Sequence, residues 1–267
     1  MENEDPVFRF ATYGLQDLLL QVLFGEVAPL RRNLLLEKQL MNCGNMQKTI
    51  LCYGDSNTWG FVPGGANYKT MYRERYARNV RWPGFLQNLL GNDYYVVEEG
   101  LNGRTTNLDY KFPPDRNGKR YLSPCLYSHA PINVVILSLG GNDLKAYFKR
   151  SAIDVCGGLS ELVDIIKISS YGHKMQEAPK ILIISQLIPL PISEKFVDDE
   201  GILIFEGAIE RSKLLVELYS DLAKKAECYF LNISNDIRPS EIDGMHLDKN
   251  GHEKLAMLVK NKINSIF

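Results

Sequence analysis

The sequence predicts a three-layer α/β/α sandwich built around a mainly parallel, five-stranded sheet. Three observations lead there. After Met46 the chain carries five short, nearly continuous apolar runs: Thr49–Tyr53, Tyr94–Val97, Val134–Leu139, Ile181–Ser185 and Tyr229–Ile233. Runs of that length without polar alternation suit strands buried on both faces, as in a parallel sheet. Between them lie stretches of helical periodicity, Trp82–Leu90, Ile153–Ser169, Glu206–Ala226 and Lys249–Ile266. Strand and helix in alternation imply right-handed crossovers that place helices on both faces of the sheet. Finally, glycine, asparagine, aspartate and serine gather where the runs end, which is where ligands collect in such sheets.

Taken in order, the first 45 residues stand apart. Leu18-Leu19-Leu20, Val22-Leu23-Phe24 and Leu34-Leu35-Leu36 suggest one or two amphipathic helices broken near Gly25 and Pro29. Residues 1–45 therefore read as a helical extension, or as an over-long start with Met46 as initiator, and residues 46–267 as the domain. The Pro/Gly-rich segments Val62–Tyr68 and Phe112–Gly118 are expected to be long surface loops of the kind that carry binding function.

The totals exclude several classes of function. Of 267 residues, 45% are hydrophobic and 24% charged, with a formal net charge of −1, so nothing favours nucleic acid or an anionic membrane as partner. No run reaches the ~18 apolar residues a membrane span needs. Glu2, Glu4 and Asp5 give the N-terminus the wrong sign for a secretory signal. Leu40-Met41-Asn42-Cys43 faintly resembles a lipoprotein cleavage site, but Glu37 and Lys38 interrupt the apolar stretch before it. The five cysteines (Cys43, Cys52, Cys125, Cys156, Cys228) are scattered, which predicts buried free thiols in a reducing, cytoplasmic compartment and no zinc site.

Four strand-end clusters concentrate the chemistry. Gly54-Asp55-Ser56 follows the first run; Gly54 permits a sharp turn and Ser56 leaves the sheet beside a helix start. Asp and Ser there could equally be ordinary helix caps. Gly103, after the second run, can bring a backbone N–H against a ligand or simply make a turn. Gly140-Gly141-Asn142-Asp143 ends the third run; the Asn142 amide can donate into the same cleft, while Asn142 or Asp143 could cap the next helix, Asp143 being better placed. Near the C-terminus, Asp243 stands three residues before His246, close enough to accept from one ring nitrogen and leave the other free to take a proton. Among the four histidines, His129 and His173 lack a neighbouring motif and His252 reads as a helix-surface residue, so His246 alone has a carboxylate at a useful offset.

Together these groups compose an acyl-transfer site without metal or cofactor: Ser56 as nucleophile, His246 as base, Asp243 as its orienting carboxylate. The oxyanion donors would be the backbone N–H groups of Ser56 and Gly103 and the side-chain amide of Asn142. Trp59, Phe61, Met245 and Leu247 flank these residues and are expected either to line a small apolar acyl pocket or to pack in the core.

In sequence order, Gly54-Asp55-Ser56, Gly103, Gly140-x-Asn142-Asp143 and Asp243-x-x-His246 resemble the four signature blocks of the SGNH/GDSL hydrolases, over roughly residue 47 to the C-terminus. Val80-Arg81-Trp82, Glu98-Glu99-Gly100-Leu101, Arg104-Thr105-Thr106-Asn107, Lys145-Ala146-Tyr147-Phe148 and Ile204-Phe205-Glu206-Gly207 are similar to the bacterial arylesterase branch, known also for acyl transfer to alcohols. The resemblance implies a flavodoxin-like α/β fold, hydrolysis of small esters, an alcohol as possible acceptor, and a homo-oligomer whose packing narrows the site. Asn57 replaces the apolar residue usual after the nucleophile, and a polar side chain there could hold water near an acyl intermediate. A carbohydrate O-deacetylase would share fold and triad. A non-catalytic flavodoxin-like binding domain would need a phosphate loop, and neither G-x-x-x-x-G-K-[ST] nor G-x-G-x-x-G occurs. Ser56 also lacks the G-x-S-x-G elbow of an α/β-hydrolase.

Overall fold

The structure, a computed structural model, describes residues 47–67, 72–110 and 113–267. The expected N-terminal extension over residues 1–45, with Cys43, lies outside the described residues, as do Tyr68 and Phe112. Five strands form one sheet: β1 (Lys48–Gly54), β4 (Tyr94–Gly100), β5 (Val134–Ser138), β6 (Lys180–Ile184) and β7 (Tyr229–Leu231). Their spatial order is β4-β1-β5-β6-β7 and every pairing is parallel. The chain goes from β1 to one side and then returns to the other, so the direction of winding reverses beside β1. That reversal opens a crevice at the carboxyl end of β1, between the ends of β4 and β5.

Alternation along the strands builds the two outer layers. Leu51 and Tyr53 of β1, with Val135, Leu137, Ile181 and Ile183, pack against α3 (Gly118–His129), α4 (Ala152–Ile168) and α5 (Ala208–Lys225). Ile50 and Cys52, with Val134, Ile136, Leu182 and Ile184, face α2 (Trp82–Leu90) and α6 (Lys249–Ile266). Burying one such aliphatic side chain contributes about 1.5–3 kcal/mol, which fixes register because a one-residue slip would exchange the two faces. Local chemistry sets the helix ends. Ser151 caps α4 in a reciprocal capping box with Asp154, and the Asp248 carboxylate accepts from Gly251 N at 2.7 Å to start α6. Among the described residues no helix is long and apolar enough to cross a membrane.

The structure corrects several expectations. The segment expected as a surface loop at Val62–Tyr68 is largely strand β2 (Phe61–Asn67), paired antiparallel with β3 (Tyr72–Arg75) as a separate two-stranded sheet. A register shift between Phe61 and Ala66 absorbs Pro63 and the positive φ of Gly64, which had disguised the strand pattern. Helix α3 escaped notice because Pro124 sits inside it and its sequence GKRYLSPCLYSH is weakly apolar. Strand β4 runs on through Glu98, Glu99 and Gly100, polar because it is the edge of the sheet. His252 is fully buried, its Nδ1 accepting from Trp82 N at 3.2 Å and its ring edge-on to Tyr76, and burial pulls its pKa down to about 4. Four described cysteines are free, but only Cys52 and Cys125 are buried; Cys156 and Cys228 are half-buried.

Candidate active site

Strand β1 delivers Ser56 into the crevice through a turn that only glycine permits. A Cβ on Gly54 would lie 2.0 Å from Thr58 Oγ1 and 3.0 Å from Ser138 O. The next four residues form a single helical turn, α1 (Ser56–Trp59), closed by Gly60 at φ +89°. Asp55 is its N-cap, with Oδ1 accepting from Asn57 N at 3.0 Å, so the capping reading of Asp55 holds. Burial lifts the Asp55 carboxyl to about 6, against the pull of the Asn57 N–H and the charges of His246 and Arg104. Ser56 is 9% exposed, at the first position of the turn.

The segment 243–247 meets Ser56 from the other end of the chain. His246 Nε2 stands 2.9 Å from Ser56 Oγ, and His246 Nδ1 stands 2.7 Å from Asp243 Oδ2. Asp243 Oδ1 also accepts from Met245 N and His246 N, both at 3.0 Å. Burial opposes its ionisation, yet the bonds and charge from His246 and those two N–H groups hold the Asp243 carboxyl below the usual carboxylate range. The Phe61 ring packs on the imidazole with centroids 4.4 Å apart.

Asn57 has a role that its sequence position did not suggest. Its Oδ1 accepts from Leu247 N at 2.9 Å and its Nδ2 donates to Met245 O at 3.3 Å. Both arms of the side chain are therefore bonded to the backbone on either side of His246.

Two loops form the opposite wall. Gly103, at φ +79°, follows β4; Leu101 N donates to Gly54 O at 3.1 Å and Arg104 Nη1 donates to Gly54 O at 3.0 Å and to Glu99 O, pinning this loop to β1. Asn142 Nδ2 donates to Arg104 O at 3.2 Å, which leaves the second amide hydrogen available. Among the described residues the backbone N–H groups of Ser56 and Gly103 have no hydrogen-bond acceptor. Asp143 caps no helix: fully buried, it accepts from Thr106 N and Oγ1 and from Arg150 Nη1, tying the Gly103 loop to the Asn142 loop. Burial lifts the Asp143 carboxyl to about 6 despite those partners.

Gln186, just past β6, braces the same wall by accepting from Gly141 N at 3.1 Å and donating to Leu139 O at 2.7 Å. Its position at a strand end was the available signal for it. Beside Gly103, the Tyr110 hydroxyl and the Arg116 side chain lie 3.6 Å from where a Gly103 Cβ would stand, and Lys145 Nζ donates to Tyr110 OH at 2.7 Å. Desolvation lowers the Lys145 ammonium to about 8, against the nearby Asp143 and Asp55 charges.

The expected pocket residues separate. Phe61 touches the imidazole and Met245 is half-buried beside it, whereas Arg75 covers Trp59 with its guanidinium 4.8 Å from the ring centre. Leu247 is wholly buried in the core beside α2 and α6 and has no surface left for a substrate. Among the described residues one group could hold a metal, Glu99, Cys125 and His129, with ligand atoms within 4.8 Å of one another; Glu99 and His129 already bond to each other at 2.9 Å. His129 thus has partners in space, though Ser56 and His246 are not among them.

Comparison with known proteins settles the family. The model of the GDSL-like Lipase/Acylhydrolase family matches residues 52–254, from within β1 into α6. The chain belongs to that family. Among solved structures, similar chains include the native aryl esterase of M. smegmatis, with 37% identity and a TM-score of 0.75, covering 82% of this chain and 100% of that one. A carbohydrate acetylesterase from Sinorhizobium meliloti has 33% identity and a TM-score of 0.75, covering 83% and 100%. An acetylxylan esterase from Xylanibacter ruminicola is 24% identical over 255 residues; the match takes in 84% of this chain but only 46% of that protein.

Proposed function

We propose that the protein is a serine esterase that hydrolyses small-acyl, acetyl-type esters through an acyl-Ser56 intermediate, without metal or cofactor. The observation that carries this reading is the continuous chain from Ser56 Oγ to His246 Nε2 at 2.9 Å and from His246 Nδ1 to Asp243 Oδ2 at 2.7 Å, set at the switch point of the sheet. The imidazole takes the hydroxyl proton as Ser56 Oγ attacks the ester carbonyl, and Asp243 stabilises the imidazolium and fixes its tautomer. The negative oxygen of the tetrahedral intermediate is held by the free N–H groups of Ser56 and Gly103 and by the second Asn142 amide hydrogen. His246 then gives its proton to the departing alkoxide. Water, deprotonated by the same imidazole, releases the acid and regenerates Ser56.

An acetyl-sized group is supported by the Phe61 ring packed on His246 and by the acetyl esterases among the relatives. A second reading keeps the same chemistry and makes the leaving group a sugar hydroxyl. It is favoured by the polar side of the cleft, where Tyr110, Arg116 and Lys145 gather beside Gly103. Alcohols compete with water for the acyl-enzyme, since any nucleophile that reaches it attacks the same carbonyl. Exposed apolar residues Ile192, Val197, Ile202 and Leu203 suit a homo-oligomer. Scattered free thiols fit a cytoplasmic setting. The test is Ser56→Ala: turnover of p-nitrophenyl acetate and of acetylated xylose should vanish in a folded protein. Turnover at the wild-type rate would overturn the reading. In the wild type, the faster of the two substrates decides between aryl and carbohydrate leaving groups.

A further inference from the structure

We infer that Asn57 is a positioning residue: its side chain clasps the backbone on both sides of His246 and so sets the imidazole against Ser56. The inference rests on the triad reading above and adds a part that reading does not contain.

The geometry is specific. Asn57 is the residue after Ser56, on the same single helical turn, and its own N–H is fixed by Asp55 Oδ1 at 3.0 Å. Across 188 and 190 residues of sequence, its amide nitrogen reaches Met245 O at 3.3 Å and its amide oxygen takes Leu247 N at 2.9 Å. His246 is the residue between those two contacts. One planar amide, with one donor and one acceptor arm used, therefore joins the nucleophile's turn to the histidine's segment.

The remaining anchors of that segment come from elsewhere. Asp243 takes Met245 N, His246 N and the ring; Ser240 N donates to His246 O at 2.8 Å; Gly244 N donates to Ser240 O and Leu190 N to Gly244 O, each at 2.8 Å. These bonds hold the segment folded and aim the ring. None of them refers it to Ser56. Besides the Ser56–His246 contact itself, the Asn57 amide makes the polar ties between the two halves of the triad. Leucine at this position has the same number of side-chain heavy atoms but makes neither bond, leaving Met245 O and Leu247 N unpaired behind the histidine. Misplacement of about 1 Å between reacting groups can cost on the order of 10²-fold in rate.

The experiment compares wild type with Asn57→Leu, Asn57→Asp and Ser56→Ala on p-nitrophenyl acetate. Active sites are counted by stoichiometric phosphonate labelling and folding by thermal unfolding. Asn57→Leu should lower kcat per labelled site by about 10- to 100-fold with little change in KM or Tm. Asn57→Asp keeps the acceptor for Leu247 N, loses the donor to Met245 O and adds a charge near the imidazole. It should be intermediate in plateau kcat with little change in KM or Tm, a split that a purely structural role does not produce; the added charge moves the acid limb of kcat/KM to higher pH in either case. If Asn57→Leu fails to fold, Asn57→Asp carries the test alone. Wild-type plateau kcat in a folded variant, with Ser56→Ala inert, would overturn this inference and leave the triad standing. An active Ser56→Ala would remove both.

Discussion

The two walls of the active-site crevice are held by different physics. The histidine wall is held by one carboxylate at short range and by one distant amide. Asp243 binds the ring and two N–H groups within three residues of itself, and Asn57 adds a two-armed backbone clasp. The oxyanion wall is held at long range by buried charge: Asp143 joins Thr106 to Arg150, Arg104 joins its loop to β1, and Gln186 joins Gly141 to the end of β5. The first wall combines the local bonds of Asp243 with neutral amide bonds from Asn57; the second depends on groups that leave uncompensated charge when one partner is removed. The difference teaches where each kind of damage should appear. Changes to the histidine wall should reach turnover first, and changes to the oxyanion brace should reach stability as well.

The largest expected effect is on the histidine wall. Asp243→Asn keeps the shape but no longer fixes the tautomer or stabilises the imidazolium, so kcat should fall by about 10⁴-fold at nearly unchanged Tm, read by steady-state kinetics and thermal unfolding. Asp143→Ala comes next and should break the symmetry. It strands Arg150 and two Thr106 donors, a loss of about 3–5 kcal/mol in denaturant unfolding, with activity lost alongside. Asn142→Ala removes one of the proposed oxyanion donors and should cost about 10²–10³ in kcat with only a small stability change. A fall in Tm matching that of Asp143→Ala would mean that Asn142 belongs to the brace and not to the reaction.

The smallest effect sharpens the comparison through pH. Each wall has one buried carboxyl raised to about 6, Asp55 beside Ser56 and Asp143 behind Asn142. A folded pKa above the ordinary value near 3.9 means that the native state binds the proton more tightly than the unfolded chain. The stability these groups contribute is complete below about pH 4 and is lost as pH rises through about 6. Asp55→Asn keeps the acceptor for Asn57 N and removes that titration. Its unfolding free energy relative to wild type should therefore climb between pH 4 and 6 and level off above 7. A pH-independent difference would show that Asp55 does not titrate in this range.

Legibility in the sequence followed the same division. Asp243 and His246 could be paired by their spacing alone, and Ser56, Gly103 and Asn142 by their places after apolar runs. Periodicity also located the five strands, since burial on both faces leaves nothing polar within a central strand such as Val134–Ser138. Long-range partners carry no such mark. That Asp143 would bind Thr106 and Arg150 instead of capping a helix, or that Asn57 would reach Met245 and Leu247, depends on how the sheet winds. The burial of His252 is hidden for a similar reason, because the N–H its ring accepts from, that of Trp82, lies 170 residues away. Strand β2 was hidden by Pro63, Gly64 and Gly65, whose turn-like chemistry is absorbed by an irregular ladder.

The central claim is that Ser56 is the acylated residue and that His246 activates it. The most direct measurement is the mass of the intact protein after brief reaction with a p-nitrophenyl phosphonate ester, followed by peptide mapping. A single adduct on the peptide containing Ser56 is predicted, formed fast in the wild type and about 10³-fold or more slowly in His246→Ala. An adduct on any other residue, or equal labelling of Ser56→Ala, would contradict it.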